Sequence, residues 1–319
     1  RAMKKRRSAL IQLAILTALG AAVALTLLLP QMSGLHRRPQ PLELSVIIRE
    51  QDSSLWTNTR MGMEQAAGEL GAELRFLTLA TANDGREQWE LLQREIEQGA
   101  DALVVAPADP AALEKSLGEL DRDVPVVTLE SPLEGADLSV VVPNAEMGAS
   151  LAQAALEDWK GGTVLLLDTA PHCTAVAQRL AAAKDLLAGA GVETQVETVS
   201  VDSLARRLPE LLRQLSPAQM MTFEPAATEA AASVKSLEGL SADLYGVGAT
   251  AAVVAALDQG ALSAVAAWSD YAAGYLAVDG AAKLARGERS EMKPPPFFLI
   301  RGEDIYEPDN QKLLFPVTS

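Results

Sequence analysis

Several residue types are scarce in this chain, and each scarcity excludes something. The single cysteine, Cys173, rules out an intramolecular disulfide, so stability must come from the core. Only two histidines occur, His36 and His172, and no His, Cys, Asp and Glu cluster has metal-ligand spacing. Neither a metal nor another cofactor is expected. A Cys–His nucleophile pair would have to be His172 and Cys173, but adjacent residues on a helix or strand point apart. The phosphate-loop, dinucleotide and nucleophile-elbow glycine patterns are all missing. Nothing here argues for an enzyme. Aromatics make up 4% of the chain, too few for a base-stacking platform. Basic residues are scarce after Pro39, where 20 of them face 42 acidic ones, a net charge of −22. Such a surface repels nucleic acid and anionic lipid, and it keeps an exported domain soluble.

The N-terminus is a separate object. Arg1, Lys4, Lys5, Arg6 and Arg7 precede an uncharged apolar run over 8–29. As a helix that run spans about 33 Å, enough for the hydrocarbon core of a bilayer. The apolar part of a cleaved signal is usually shorter, about 7–15 residues, and ends in a small-residue site. This run ends in Leu27-Leu28-Leu29-Pro30. It is read as an uncleaved anchor in preference to a signal peptide. The excess of basic charge ahead of it puts the N-terminus in the cytoplasm and the remainder outside.

From Glu43 a βα rhythm begins. The apolar, β-branched run Leu44–Ile48 reads as a buried strand. Arg49–Ser54 breaks it, and Trp56–Leu70 reads as a helix with Met63, Ala66, Ala67 and Leu70 on one face and Gly71 as its cap. A strand over Glu73–Leu79 closes the unit. The same alternation continues to Phe297–Ile300, broken by Ser131–Gly135 and a crossing segment at Leu138–Val142. This predicts an α/β fold of two doubly wound parallel-sheet lobes. Glu303–Ser319 reads as a polar tail that either crosses the lobes or packs beneath one.

In such sheets, ligands bind beyond the carboxyl ends of the strands. The candidates there are Leu55 and Trp56 after the first strand, Asp109 after the third, and Glu130 and Ser131 after the fourth. Asn144 follows the crossing segment, and His172 and Arg179 follow the first strand of the second lobe. Glu224, Thr250, Trp268 and Asp270 follow later strands. Each also has a plainer reading. Asp109 and Asn144 suit helix N-caps, and Glu130 suits a solvated hinge.

Several stretches together carry a resemblance. They are Leu55-Trp56 with Gly62–Gly71, Gly99–Asp109, Val124–Leu129, Asn144 with Gly148, and Tyr245-Gly246-Val247. Over about 42–303 the chain resembles the type I periplasmic binding proteins of the ribose- and galactose-binding kind, which share a fold with the ligand domains of lac-repressor-like regulators. The resemblance implies two lobes joined by three crossings, here near Glu130–Leu133, Trp268–Asp270 and Met292–Pro296, with a hinge that closes on ligand. The implied division is a cytoplasmic stub and anchor over 1–30 and a linker over 31–41. The first lobe would comprise 42–130 with 270–294, and the second lobe and tail 131–269 with 295–319.

The resemblance further implies that Trp56 stacks on a ring, that Asp109 accepts hydroxyls, and that Glu130, Ser131 and Asn144 line the hinge. The second lobe departs from the pattern. Ala177 and Gln178 stand where sugar binders place an arginine, with Arg179 nearby. Pro225-Ala226-Ala227, Gly248 and Trp268 replace other polar positions. Each unpaired buried polar group would cost about 1–3 kcal/mol, so the ligand differs from the usual pentose or hexose or the cleft has drifted.

The expected function is a membrane-tethered, extracytoplasmic protein that captures a small, sugar-like solute for an ABC permease or a sensor kinase. Its partners would be that solute, that membrane protein and the bilayer through 8–29, with no nucleic acid. The alternatives are a regulator of the lac-repressor-like fold and a tethered protein-interaction domain with a drifted cleft.

Overall fold

The computed structural model describes residues 17, 19–20, 41–119 and 123–315. The expected anchor over 8–29 lies almost wholly outside them. Among the described residues, no helix is long and apolar enough to cross a membrane.

The described residues from Leu42 onward form one compact unit built on two sheets. The first contains β1 (Leu42–Ile47), β2 (Ala72–Leu77), β3 (Ala102–Val105), β4 (Val126–Leu129) and β5 (Leu138–Val140), in the order β2-β1-β3-β4-β5. All its pairings are parallel. The second contains β6 (Val164–Asp168), β7 (Thr194–Thr198), β8 (Gln219–Thr222), β9 (Asp243–Val247), β10 (Ala264–Trp268) and β11 (Phe297–Arg301), in the order β11-β10-β9-β8-β6-β7. Only β11 runs antiparallel, against β10. β3, β4 and β8 are buried at every position, as central strands covered by helices on both faces are.

The first helices are α1 (Thr57–Leu70), α2 (Gly85–Glu97) and α3 (Pro110–Gly118). They are followed by α4 (Asn144–Asp158), α5 (Thr174–Gly189), α6 (Val201–Leu215) and α7 (Pro225–Glu238). The last are α8 (Ala251–Asp258), α9 (Asp270–Ala285) and α10 (Pro308–Leu314). Trp56 closes a 3₁₀ turn over Ser53–Trp56 instead of opening α1, because the Asp52 carboxylate holds the Ser54 N–H at 2.8 Å and tightens that turn.

Two helix pairs are the main lateral contacts. α9 lies against α1, and α4 lies against α5. Both depend on glycine for close approach. A Cβ at Gly62 would overlap the Tyr271 carbonyl, and one at Gly148 would overlap the Arg179 carbonyl.

The first crossing is not where the sequence placed it. Val127, Thr128 and Leu129 pair with Leu138, Ser139 and Val140, and the Thr128 hydroxyl donates to the Ser139 hydroxyl at 2.9 Å. The segment 131–140 therefore belongs to the first sheet, and the chain passes to the second between Val140 and Asn144. It returns between Trp268 and Asp270, and α9 packs against β1, β3, β4 and β5. It passes to the second sheet again between Ala285 and Phe297. The C-terminal segment is not a polar tail. Ile305, Leu313 and Leu314 are buried in the second-sheet core beside Leu257 and Val265, so it packs on that lobe.

Candidate functional site

The loops after β1, β4, β8 and β10 converge between the sheets. A narrow cavity lies there, with about 30 Å³ of space for the centre of a water-sized molecule. Leu55, Trp56, Glu130, Trp268 and Asp270 line it, as does Glu50. Both tryptophans are buried apart from an edge, and Leu129, Val140 and Val142 complete the apolar wall.

Behind this wall is a buried charge cluster centred on Arg49, whose side chain is 1% exposed. Its Nε donates to Glu130 Oε2 at 3.1 Å, and its Nη1 donates to Glu224 Oε2 at 2.6 Å and to Asn83 Oδ1 at 3.0 Å. Its Nη2 lies 3.3 Å from Glu50 Oε1, while the other Glu50 oxygen accepts the Trp56 indole N–H at 2.7 Å. The Thr169 hydroxyl donates to the second oxygen of Glu224. Arg49 follows β1 and Glu224 follows β8, so this ion pair joins the two lobes directly.

A second buried guanidinium completes the cluster. Arg179 Nε donates to Asn144 Oδ1 at 2.8 Å, and Nη1 donates to the Phe223 carbonyl at 3.0 Å. The group lies 4.9 Å over the Trp268 ring, a cation–π contact, and its Nη2 has no hydrogen-bond partner. Asn144 is not the N-cap that the sequence suggested. Pro143 holds that position, and the Asn144 amide instead donates to the Glu130 carbonyl at 2.9 Å, linking the hinge to Arg179. Glu130 is not a solvated hinge residue either. It sits at φ 62° with its carboxylate turned inward onto Arg49.

The electrostatics follow from burial and sign. Burial raises the Glu50 carboxyl to about 7, with Glu130 and Glu224 adding to the push against Arg49 and Trp56. Burial likewise raises Asp270 to about 7, helped by Glu130 and opposed by Arg179. Burial acts to lower Arg49, but Glu50 and Glu130 outweigh it and hold the guanidinium firmly charged. Arg179 is lowered by burial.

Four sequence candidates lie elsewhere. Asp109 is the N-cap of α3, accepting from the Ala112 N–H at 3.1 Å, and its other oxygen is 3.9 Å from Nδ1 of the exposed His172. Neither lines the cavity. Ser131 is fully buried, and its hydroxyl caps α5 by accepting from the Ala175 N–H at 3.0 Å. Thr250 caps α8, accepting from the Val253 N–H at 3.2 Å, and lines an adjoining open groove with Tyr306 and Phe315 that shares Leu55 and Asp270 with the cavity. Sequence reasoning missed Arg49 and Glu50. Their signal was a pair of opposite charges placed directly after a buried strand. Among the described residues, no group of three or more His, Cys, Asp or Glu side chains is arranged to hold a metal ion.

A family model described as a periplasmic binding protein domain matches residues 44–289. The chain belongs to the periplasmic binding protein family. That family consists of solute-binding proteins, not enzymes. The ribose import binding protein of Bacillus subtilis (strain 168) is 26% identical over 132 residues, 40% of this chain. The match spans only 43% of that relative's length. A carbohydrate transporter solute binding protein from Agrobacterium radiobacter, solved with D-arabinose, superposes with a TM-score of 0.77 at 15% identity, covering 86% of this chain and 99% of that one. The Caulobacter myo-inositol binding protein, solved with myo-inositol, gives a TM-score of 0.75 at 19% identity, covering 86% of this chain and 98% of its own. At these identities the likeness to the two structures establishes the fold.

Proposed function

We propose that this protein captures a small solute, a sugar or sugar-like compound, in the cavity between its lobes. The observation that carries this reading is the pair of indoles, Trp56 and Trp268, walling one cavity at the carboxyl ends of β1 and β10. Leu55, Trp56, Glu130, Trp268 and Asp270 are the contacts we assign to the solute. The domain works outside the cytoplasm, held to the membrane by residues 8–29, and hands its solute state to an ABC permease or a sensor kinase. Solute acts by favouring the closed arrangement through its differential affinity for the two states.

The test is a thermal-shift series on the full chain with D-ribose, D-arabinose, myo-inositol and small sugar derivatives. A solute at 100 times its Kd adds about 2.7 kcal/mol, a rise of several degrees. That rise should disappear in Trp56→Ala. A folded protein that responds to nothing in the series would contradict the reading.

One observation favours a second reading, a tethered protein-interaction domain with a drifted cleft. Arg49 already joins the lobes through Glu224, as a bound solute would. Such a domain would stay closed and silent in the same series.

A further inference from the structure

The cavity wall is unbalanced in charge. Glu50, Glu130 and Asp270 face it, and among the described residues no lysine, arginine or histidine lines it. Arg49 and Arg179 lie behind the wall. Together they are the two cations of a cluster that contains four carboxylates, those of Glu50, Glu130, Glu224 and Asp270. Arg49 is shared among Glu50, Glu130 and Glu224. Arg179 is spent on Asn144 and the Phe223 carbonyl. Among the described residues no hydrogen bond reaches the Asp270 carboxylate, which burial and the Glu130 charge push up and the Arg179 charge opposes. Carboxylates outnumber the cations in this cluster, and Glu50, Glu130 and Asp270 turn the surplus toward the cavity.

The rest of the wall suits the missing charge. Trp56 and Trp268 present indole surface to the cavity, and Trp268 already holds one cation, Arg179, at 4.9 Å. Indole faces and carboxylates in a water-poor site are the groups that hold an organic ammonium. A neutral polyol would leave the carboxylates buried without a counter-charge, a costly state that protons would have to relieve.

We propose that the solute carries an organic ammonium group, seated between Trp56 and Trp268 and against the carboxylates of Glu50 and Asp270. This rests on the capture reading above and narrows its ligand class to sugar-like or other small compounds bearing a permanent or protonated positive charge. In the empty cavity, protons on Glu50 and Asp270 stand in for that charge, because both acids titrate near neutrality. Glu50 faces Arg49, Glu130 and Glu224, and Asp270 faces Glu130 and Arg179. Ammonium binding should therefore expel protons and strengthen as pH rises.

The experiment is calorimetric titration of the full chain at pH 6 and pH 8. The probes are choline, its neutral isostere 3,3-dimethyl-1-butanol, D-ribose and myo-inositol. Choline is the probe of choice because its charge does not titrate. The expected result is choline binding at least about tenfold tighter than the isostere, as a desolvated cation–π site requires. Its affinity should rise about tenfold from pH 6 to pH 8 as the acids ionise. Asp270→Asn should weaken choline by about tenfold and so narrow its advantage over the isostere. Glu50→Gln, which keeps an acceptor for the Trp56 indole, is the second variant and should act in the same direction. Equal affinity for choline and its isostere, or binding of the sugars alone, would overturn the ammonium assignment and leave solute capture standing. Binding of no probe at either pH would overturn both.

Discussion

Arg49 and Glu224 lie 175 residues apart in the chain, yet their side chains meet at 2.6 Å in the interior between the lobes. Each belongs to a different sheet, so the pair fastens one lobe to the other. Removing Arg49 leaves Glu130 and Glu224 buried without a counter-charge. Arg49→Met should lower stability by about 3–5 kcal/mol at pH 8, the usual cost of orphaning one side of a buried ion pair. Denaturant unfolding measures it, and the loss should shrink at pH 5.5, where Glu50, raised to about 7, holds a proton.

Global stability should also depend on pH in the opposite sense to most proteins. Glu50 and Asp270 hold their protons to about 7 in the folded chain but lose them near the ordinary carboxyl value when unfolded. Between these limits the folded state binds more protons, so stability falls as pH rises, then levels off above 7. The contribution of Glu50 is on the order of 3 kcal/mol. Melting temperature measured from pH 5 to pH 8 should fall across the range, and Asp270→Asn should flatten the slope.

Asp109 and Trp56 should separate cleanly. Asp109→Ala removes an N-cap bond to the Ala112 N–H and should cost about 1 kcal/mol of stability. Solute affinity should not change, because Asp109 does not line the cavity. Trp56→Ala should abolish binding, and paired melting and titration measurements on both variants test this.

Gly148→Ala should be more damaging than its size suggests. The added methyl would meet the Arg179 backbone where α4 touches α5. Forcing the helices apart should cost about 1–3 kcal/mol and move the guanidinium off Trp268. Loss of stability with a changed tryptophan emission spectrum would report both effects.

The architecture was legible because buried parallel strands are written as short apolar runs. Leu44–Ile48 and Ala102–Val105 have no other reading between their flanking turns. Periodicity placed α1 to within a residue, and Pro110 after Asp109 marked the start of α3. The first crossing was misplaced because Leu138–Val140 is only three residues long, and its partner β4 is recognised by register, not by composition.

The site was legible only as a rim. Sequence could say that Glu130, Glu224 and Trp268 follow strands, since every such loop opens at the same end. It could not say which side chains turn inward. Asp109 and Thr250 were taken up by their own helix N-termini, a local satisfaction that removes them from the cavity. Arg49 was overlooked because its partners, Glu130 and Glu224, are supplied by distant strands. Asn144 looked like a cap, and only the neighbouring Arg179 and Glu130 carbonyl give its amide other work.

The path of the chain between the sheets also governs how the protein can be divided. The first sheet is completed by α9, which arrives only after the whole second sheet except β11 has been built. Neither lobe is a continuous stretch of sequence. A ribosome that has delivered everything through Trp268 has not yet made the helix that covers Gly62, Met63 and Ala66. Until the residues of α9 have cleared its exit tunnel, that apolar face stays bare. A truncated gene ending there would express a sticky half-molecule and not a working lobe.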